Sequence, residues 1–244
     1  GPARVNYFWV ARNLDALKWE KFSPPVHRMI PCVYFSLSLD VGWPDPEMQK
    51  VSWAKIAKLY YDEMRDFLRE SSSMDRIVDS LKALVSNDRE AAEAVFDWVR
   101  GNFIPQFPDI SLSKDLNEAF ERGRGTRAER AAILYAILQK LAIPCVPYLA
   151  ASHDVGDPMP DLPGLFWFDR VLVACFLNGD TIWADPSYPA IEPGILPFED
   201  QGIQVLRLDE ATGEFGSTPH VDYRDNGKAI HLKLDIDSTG ALYG

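Results

Sequence analysis

The spacing of hydrophobic residues changes at Pro144. Before it, apolar side chains recur every three or four residues, for example at Ile56, Tyr60 and Met64, which is the spacing of one helix face. After it, apolar residues gather in short runs separated by turn residues, as is typical of strands. A helical half followed by a strand-rich half predicts an α+β fold with an antiparallel sheet.

The helical half is predicted to contain three consecutive helices over residues 45–103, with Ser52 and Asp88 as N-caps. Thr126 is predicted to cap a further, strong helix over residues 127–141. We expect this last helix to pack against the sheet, because it carries apolar residues along one side.

Four strands are predicted in the second half, over residues 146–151, 166–176, 181–184 and 203–208. The dipeptide Asn178-Gly179 predicts a tight hairpin turn, because both residues tolerate a positive φ. Two outer segments also have strand character, namely residues 31–37 and 228–235.

Charge and hydropathy exclude two classes of partner. The 244-residue chain has a formal net charge of −11, so it lacks the basic surface needed to bind nucleic acid or an anionic membrane. Its longest apolar run, near residues 165–176, is interrupted by Asp169 and Arg170 and is shorter than the roughly 20 residues that span a bilayer. We therefore predict no membrane insertion. The first residues, Gly1-Pro2-Ala3, resemble a protease-cleavage scar and give no address for a compartment.

The cysteines predict neither a metal site nor a cofactor. Cys32, Cys145 and Cys175 are widely spaced, and none belongs to a Cys-x-x-Cys pair or a Cys/His cluster. Three buried free thiols are the favoured interpretation. One disulfide is the alternative, and the spacing does not indicate which two cysteines would form it.

Three segments carry a resemblance to a known family. They occur in the order Gly125-Thr126-Arg127, Phe168-Asp169-Arg170 and Trp183-Ala184-Asp185-Pro186-Ser187. Together they resemble the bacterial transglutaminase-like superfamily. In that family a Gly-x-Cys motif opens the core helix, a strand carries a histidine, and a Trp-x-Asp-Pro-Thr/Ser strand carries an aspartate.

The resemblance implies a papain-type core between two β-sandwich domains. Residues 1–44 would then be the remnant of an N-terminal β-sandwich, residues 45–218 the transglutaminase-like core, and residues 219–244 the start of a C-terminal β domain. It also implies that the parent protein is bacterial and exported to the periplasm or beyond.

The departures from the family motif decide the predicted function. The nucleophile position falls on Arg127 and the histidine position on Arg170, so only Asp185 of the Cys-His-Asp triad remains. Arginine offers no nucleophile and stays protonated, so it cannot act as a general base. We therefore predict a pseudoenzyme that serves as a scaffold or as a peptide- or protein-binding module.

Two other functions remain open at this stage. One is an active thiol protease or transglutaminase whose nucleophile lies elsewhere, with Cys145, Cys175 and His153 as the residues to examine. The other is a hydrolase built on the carboxylates of Asp169, Asp185 and Glu129. A structure placing a cysteine near a histidine and Asp185 would favour the first.

The three remnant positions predict a specific contact. A positive charge at a helix N-terminus opposes the helix dipole, so we expect Arg127 or Arg170 to form an ion pair with Asp185. A structural salt-bridge cluster is the favoured interpretation of these three residues. An anion pocket for a carboxylate or a peptide C-terminus is the alternative, since two arginines outnumber one aspartate.

Overall fold

The helices fill the first part of the chain. The structure, a computed structural model, describes residues 7–18, 20, 23–34, 51–69, 72–106, 110–188, 191–210, 212–222, 224, 235–236, 238–240 and 242–243. The α-helices within these residues are α1 (Val26–Met29), α2 (Trp53–Phe67), α3 (Ser72–Lys82), α4 (Asp88–Asn102), α5 (Leu116–Arg122) and α6 (Arg127–Lys140). No helix among the described residues combines the length and the apolar character needed to cross a bilayer.

The strands follow α6, apart from two short ones. They are β1 (Ile104–Pro105), β2 (Arg124–Gly125), β3 (Cys145–Ala150), β4 (Arg170–Leu177), β5 (Asp180–Ala184), β6 (Gln204–Arg207), β7 (Phe215–Ser217), β8 (Asp235–Ile236) and β9 (Leu242–Tyr243). Strands β3 to β7 form one antiparallel sheet in the order β5-β4-β3-β6-β7. The short β1 and β2 pair in parallel, and β8 pairs with β9. The predicted α+β architecture with an antiparallel sheet is confirmed.

Helix starts follow the capping chemistry that the sequence contains. The Ser52 side chain accepts a hydrogen bond from the Lys55 amide and caps α2, as predicted. The N-cap of α4 is Asn87, whose side chain accepts from the amide of Glu90, and Asp88 is the first helical residue. The prediction of Asp88 as the cap was therefore wrong by one residue, because the Asn87 amide oxygen is equally suited to that bond.

Helix α6 lies at the centre of the core. Its buried side chains contact α3 and α4 on one side and strands β3 and β4 on the other. Because α6 is covered on both sides, apolar residues occupy most of its circumference. Its buried residues are therefore not confined to one face. A second, smaller cluster covers the opposite face of the sheet and contains Ala150, Leu172, Ile203 and Val205.

The strand predictions hold except at their ends. The turn at Asn178-Gly179 has φ values of 52° and 88° and joins the paired residues Leu177 and Asp180, so the predicted hairpin is confirmed. Strand β4 begins at Arg170 rather than at residue 166, because Leu165–Trp167 form a turn of 3₁₀ helix that buries Trp167.

Two predictions concern the flanks of the chain. The described part of the segment 31–37, residues 31–34, is not a strand, and its remainder lies outside the described residues. The segment 228–235 also lies outside them, apart from Asp235 in β8. Strand β7 was not predicted, since its sequence, Phe-Gly-Ser, has no alternating apolar pattern.

Candidate functional site

The start of α6 positions two arginines. Thr126 and Glu129 form a capping box, in which each side chain accepts a hydrogen bond from the other residue's backbone amide, at 3.1 and 2.9 Å. This fixes the first turn of the helix. Arg127 and Arg130 then lie three residues apart, a spacing that places two side chains on neighbouring parts of one helix face.

Arg127 binds Asp169, the residue immediately before β4. Its Nη1 donates to the Asp169 backbone carbonyl at 3.0 Å and lies 3.6 Å from the carboxylate. Ser152 also holds that carboxylate, through its backbone amide at 3.0 Å and its hydroxyl at 2.8 Å. Asp169 thus provides the negative charge that Arg127 needs at a helix N-terminus.

Arg170, the first residue of β4, lies between two carboxylates. Its Nη1 donates to Asp169 Oδ2 at 2.7 Å, and its Nε lies 3.3 Å from Asp200 Oδ1. Its Nη2 donates to the Tyr188 hydroxyl at 3.4 Å. The side chain is only 4% exposed, so Arg170 is a buried, multiply bonded cation.

Asp185 does not form the predicted ion pair with Arg127 or Arg170, and that prediction was wrong. Its Oδ1 accepts from the Ser187 amide at 2.7 Å and from the Ser187 hydroxyl. Its carboxyl group also influences Asp200, whose pKa it raises, and its charge acts on Arg130. The reason is local. Ser187, two residues further along the chain, binds the Asp185 carboxyl group, and the guanidinium of Arg170 is already in contact with Asp169 and Asp200.

Arg130 is the buried cation that acts with Asp185. Its side chain is fully buried, and none of its three nitrogens has a hydrogen-bond partner among the described residues. Burial lowers the pKa of Arg130 to about 10, and the Asp185 carboxylate opposes that shift. The guanidinium therefore remains charged at neutral pH.

Asp200 is a buried carboxyl group whose neutral form is favoured. Burial and then the neighbouring Asp185 raise the pKa of Asp200 to about 9, and Arg170 acts in the opposite direction. Asp200 is therefore mostly protonated at neutral pH. Burial also raises the pKa of Asp169, against the hydrogen bonds from Ser152.

The contacts of Arg127, Asp169, Arg170 and Asp200, together with the charge interactions of Asp185, form one charged cluster, which runs in the order Arg127, Asp169, Arg170, Asp200, Asp185 and Arg130. It contains the three positions that the family resemblance assigns to the triad, which are linked through Asp169 and Asp200. Most of the cluster is buried.

The cluster reaches solvent at its Arg127–Asp169 end. Asp169, whose side chain is 23% exposed, lines a shallow cleft of about 460 Å³ between α2 and the turn before β4. Apolar side chains from Tyr60, Ile110, Leu165 and Phe168 form most of its wall. A larger cavity of about 660 Å³ lies between residues 23–28 and the loops that contain Ser152 and Glu199.

The two sheet cysteines lie far from this cluster. Cys145 pairs with Cys175 at one end of the β3–β4 ladder, whereas Ala150 pairs with Arg170 at the other. Five residues along a strand correspond to roughly 16 Å. Burial raises the pKa of Cys145 to about 11 and that of Cys175 to about 12, so neither supplies a thiolate at neutral pH.

The other candidate residues are also placed. Cys32 is exposed, so its predicted burial was wrong; it lies in an N-terminal segment outside the core. The His153 ring lies tilted against that of Phe198, with 5.2 Å between the ring centroids, beside the larger cavity. Glu129 is fully buried within the α6 cap. Among the described residues, no group of His, Cys, Asp and Glu could hold a metal ion.

Sequence reasoning missed three members of the cluster's network: Arg130, Tyr188 and Asp200. Arg130 had a local signal, because it lies three residues after Arg127 on a predicted helix. Tyr188 and Asp200 had none, since they lie in irregular segments whose positions depend on the tertiary fold.

The fold and the site define an α+β protein with a charged cluster at the N-terminal end of its central helix, α6, beside the start of β4. No protein-family model matches the sequence, and no curated protein matches it. The crystal structure of a "putative protease" from Parabacteroides distasonis ATCC 8503 is similar, with a TM-score of 0.56 and 15% identity over 71% of this chain. The chain covers 32% of that protein.

A second solved structure is more distant. It is a "putative cysteine protease" from Cytophaga hutchinsonii, with a TM-score of 0.34 and 15% identity over 59% of this chain and 40% of that one. The first structure shows that the fold is shared with a protein described as a protease, and the second carries no argument of its own.

Proposed function

We propose that this chain is a catalytically inactive, transglutaminase-like domain of the papain type that serves as a scaffold or as a peptide- or protein-binding module. One observation carries the proposal. The positions that the family resemblance assigns to the nucleophile and the base hold Arg127 and Arg170, and both are bound to Asp169.

Arginine cannot replace either catalytic group. Thiol enzymes attack through a thiolate at a helix N-terminus and move the proton through a histidine. A guanidinium provides neither a nucleophilic atom nor a basic nitrogen near neutral pH. The guanidinium of Arg170 is also buried and donates to Asp169 Oδ2 at 2.7 Å. In this proposal the former catalytic centre is a structural ion cluster.

The shallow cleft beside Asp169 is the proposed binding surface. Its wall is mainly apolar, and Glu63 and Asp169 contribute acidic groups. Leu165 in this wall and Phe166 next to it are 40% and 58% exposed, so they offer apolar contact area to a ligand. An extended peptide with an apolar side chain flanked by basic residues would fit these features.

An activity assay tests the inactive state. We expect neither incorporation of a primary amine into glutamine substrates nor peptide cleavage, with or without alkylation by iodoacetamide. The variants Cys32→Ala, Cys145→Ala and Cys175→Ala serve as controls. Turnover that depends on any of these thiols would overturn the proposal.

A binding assay tests the cleft. Selection from a phage-displayed peptide library, followed by titration of the enriched peptides, should give sequences with the stated pattern. Leu165→Asp should weaken their binding at least tenfold, whereas Ile195→Asp, at an exposed apolar residue outside the cleft, should leave it unchanged. Equal peptide binding by the two variants would show that the peptides do not bind in the cleft.

The second candidate function is that of an active thiol protease, and the fold shared with a protein described as a "putative protease" favours it. Cys32 is the exposed thiol and would be its nucleophile. Cleavage that Cys32→Ala abolishes and Cys145→Ala preserves would establish this alternative.

A further inference from the structure

Cys145 and Cys175 face each other across strands β3 and β4. They are register partners in the antiparallel ladder, so their side chains project from the same face of the sheet. Both are buried under α6, at 6% and 3% exposure, and both are free thiols. The side chain of Gln139 and the carbonyl of Tyr135, both on α6, contact the Cys145 sulfur at 3.6 and 3.9 Å.

The hydrogen bonds around this pair define its geometry. The amide of Phe176 donates to the carbonyl of Pro144 at 2.8 Å. That bond joins the residue after Cys175 to the residue before Cys145, which makes the two cysteines a non-hydrogen-bonded pair. Such pairs have Cα atoms about 4.5 Å apart, within the range of about 4.4–6.8 Å that a disulfide bridges.

We propose that Cys145 and Cys175 are an oxidation site that forms an intramolecular disulfide between β3 and β4 when the protein meets a two-electron oxidant such as hydrogen peroxide. The inference rests on the sheet register and does not depend on the proposed function.

The reaction proceeds in two balanced steps. The Cys145 thiolate attacks one peroxide oxygen, giving a sulfenic acid, while the other oxygen leaves as water after taking up a proton. The Cys175 sulfur then attacks the Cys145 sulfur, a second water leaves, and the S–S bond forms. Peroxide is reduced by two electrons, and each cysteine loses one.

Cys145 reacts first because it is the more reactive of the two thiols. It is slightly more exposed than Cys175, and its pKa, about 11, is raised less than that of Cys175, about 12. Both thiolates are scarce at neutral pH, so the oxidation is slow and follows transient opening of the sheet where β3 begins and β4 ends. This order makes Cys145 the attacking residue and Cys175 the resolving one.

The disulfide would tie down the segment that carries part of the charged cluster. Residues 145–175 include Ser152, Asp169 and Arg170, so the S–S bond closes a loop around them. Restricting that loop in the unfolded chain stabilises the folded protein, and we expect a Tm rise of about 5–10 °C.

The test uses a Cys32→Ser variant, which removes the exposed thiol and leaves the core unchanged. The folded variant is treated with hydrogen peroxide, quenched with catalase, unfolded and alkylated with iodoacetamide before its intact mass is measured. We expect no alkylation, a mass lower by two hydrogen atoms, the stated Tm rise, and reversal by dithiothreitol. Two alkylated cysteines after peroxide, or a disulfide between molecules, would overturn the proposal.

Two further variants test the order of attack. In Cys32→Ser/Cys175→Ser, the sulfenic acid of Cys145 has no resolving partner and should be trapped by dimedone. In Cys32→Ser/Cys145→Ser, trapping at Cys175 should be at least fivefold slower. Equal trapping in the two variants would remove the assigned order, and trapping in neither would show that peroxide does not reach the pair.

Discussion

At the scale of single residues, the raised pKa of the buried Asp200 makes stability depend on pH. Burial, and then Asp185, raise the pKa of Asp200 to about 9, whereas an unfolded aspartate titrates near pKa 4. The folded protein therefore holds an extra proton between about pH 4 and pH 9. The stabilisation is complete below that window and is lost as the pH rises through it.

Asp200→Asn should remove this dependence, because an amide imitates the protonated carboxyl group. We expect the free energy of unfolding of the unchanged protein to fall by up to about 1.4 kcal/mol per pH unit across the window, and that of the variant to fall less steeply. Urea denaturation followed by tryptophan fluorescence measures both. Glu192→Gln, at an exposed carboxylate, is the control, and parallel curves for Asp200→Asn and the unchanged protein would contradict the raised pKa of Asp200.

Asp185 should be worth more to stability than a surface carboxylate. It is buried and compensates the buried Arg130 guanidinium, so Asp185→Ala leaves a charge without its counterion and should cost about 3 kcal/mol. Asp62→Ala, at the exposed Lys58–Asp62 ion pair, should cost less than about 1 kcal/mol. Denaturant unfolding at neutral pH compares the two.

Adding Arg130→Met tests the assigned partner. Replacing a buried charged pair by apolar groups is often neutral, so Arg130→Met/Asp185→Ala should be more stable than Asp185→Ala alone. If Arg130→Met lowers the stability of Asp185→Ala as much as it lowers the stability of the unchanged protein, Asp185 and Arg130 are not energetically coupled.

At the scale of elements, the first turn of α6 holds the cluster in place. Glu129 accepts hydrogen bonds from the amides of Thr126 and Ser113 and forms an ion pair with Arg122. It thereby joins α6 to α5 and to the loop before α5. The sequence predicted Thr126 as the cap, and the structure adds Glu129 as the second half of a capping box.

Removing Glu129 should therefore disturb more than one helix. Glu129→Ala leaves two amides and Arg122 without their acceptor and should cost about 3 kcal/mol, whereas Thr126→Ala should cost about 1 kcal/mol. Thermal and urea unfolding measure both, with Glu121→Ala, at an exposed residue of α5, as the control. A Glu129→Ala loss no larger than that of Thr126→Ala would mean that the capping bond alone matters.

At the scale of the whole molecule, the backbone brings the start of α6 and the start of β4 together, as a thiol enzyme requires. The double variant Arg127→Cys/Arg170→His tests whether these two positions can support a reactive thiol beside a histidine. We expect the new thiol to have a pKa below the ordinary 8.5 or so, because a helix N-terminus and a nearby imidazolium both stabilise a thiolate.

The matched control separates the two causes. Asp88→Cys places a thiol on the first residue of α4, with the helix N-terminus and no engineered histidine. Iodoacetamide reaction rates against pH, in a Cys32→Ser background, give both pKa values. A pKa in the double variant no lower than that in the control would show that the site does not support a thiolate–imidazolium pair.

The sequence by itself determined the elements and their local chemistry. The change of hydrophobic period at Pro144 predicted the α+β order, Thr126 the start of α6, and Asn178-Gly179 the β4–β5 hairpin. Each of these depends on residues a few positions apart, where spacing and side-chain type act directly on the backbone.

Only the tertiary structure decided which charges meet. Asp185 was the expected partner of Arg127 and Arg170, yet Asp169 and Asp200 hold those guanidinium groups, and Asp185 acts on Arg130. Ion pairing depends on a few ångströms of distance and on burial. Those distances are set by how the loop before β6, the end of β5 and the start of α6 pack together, which no local pattern in the chain encodes.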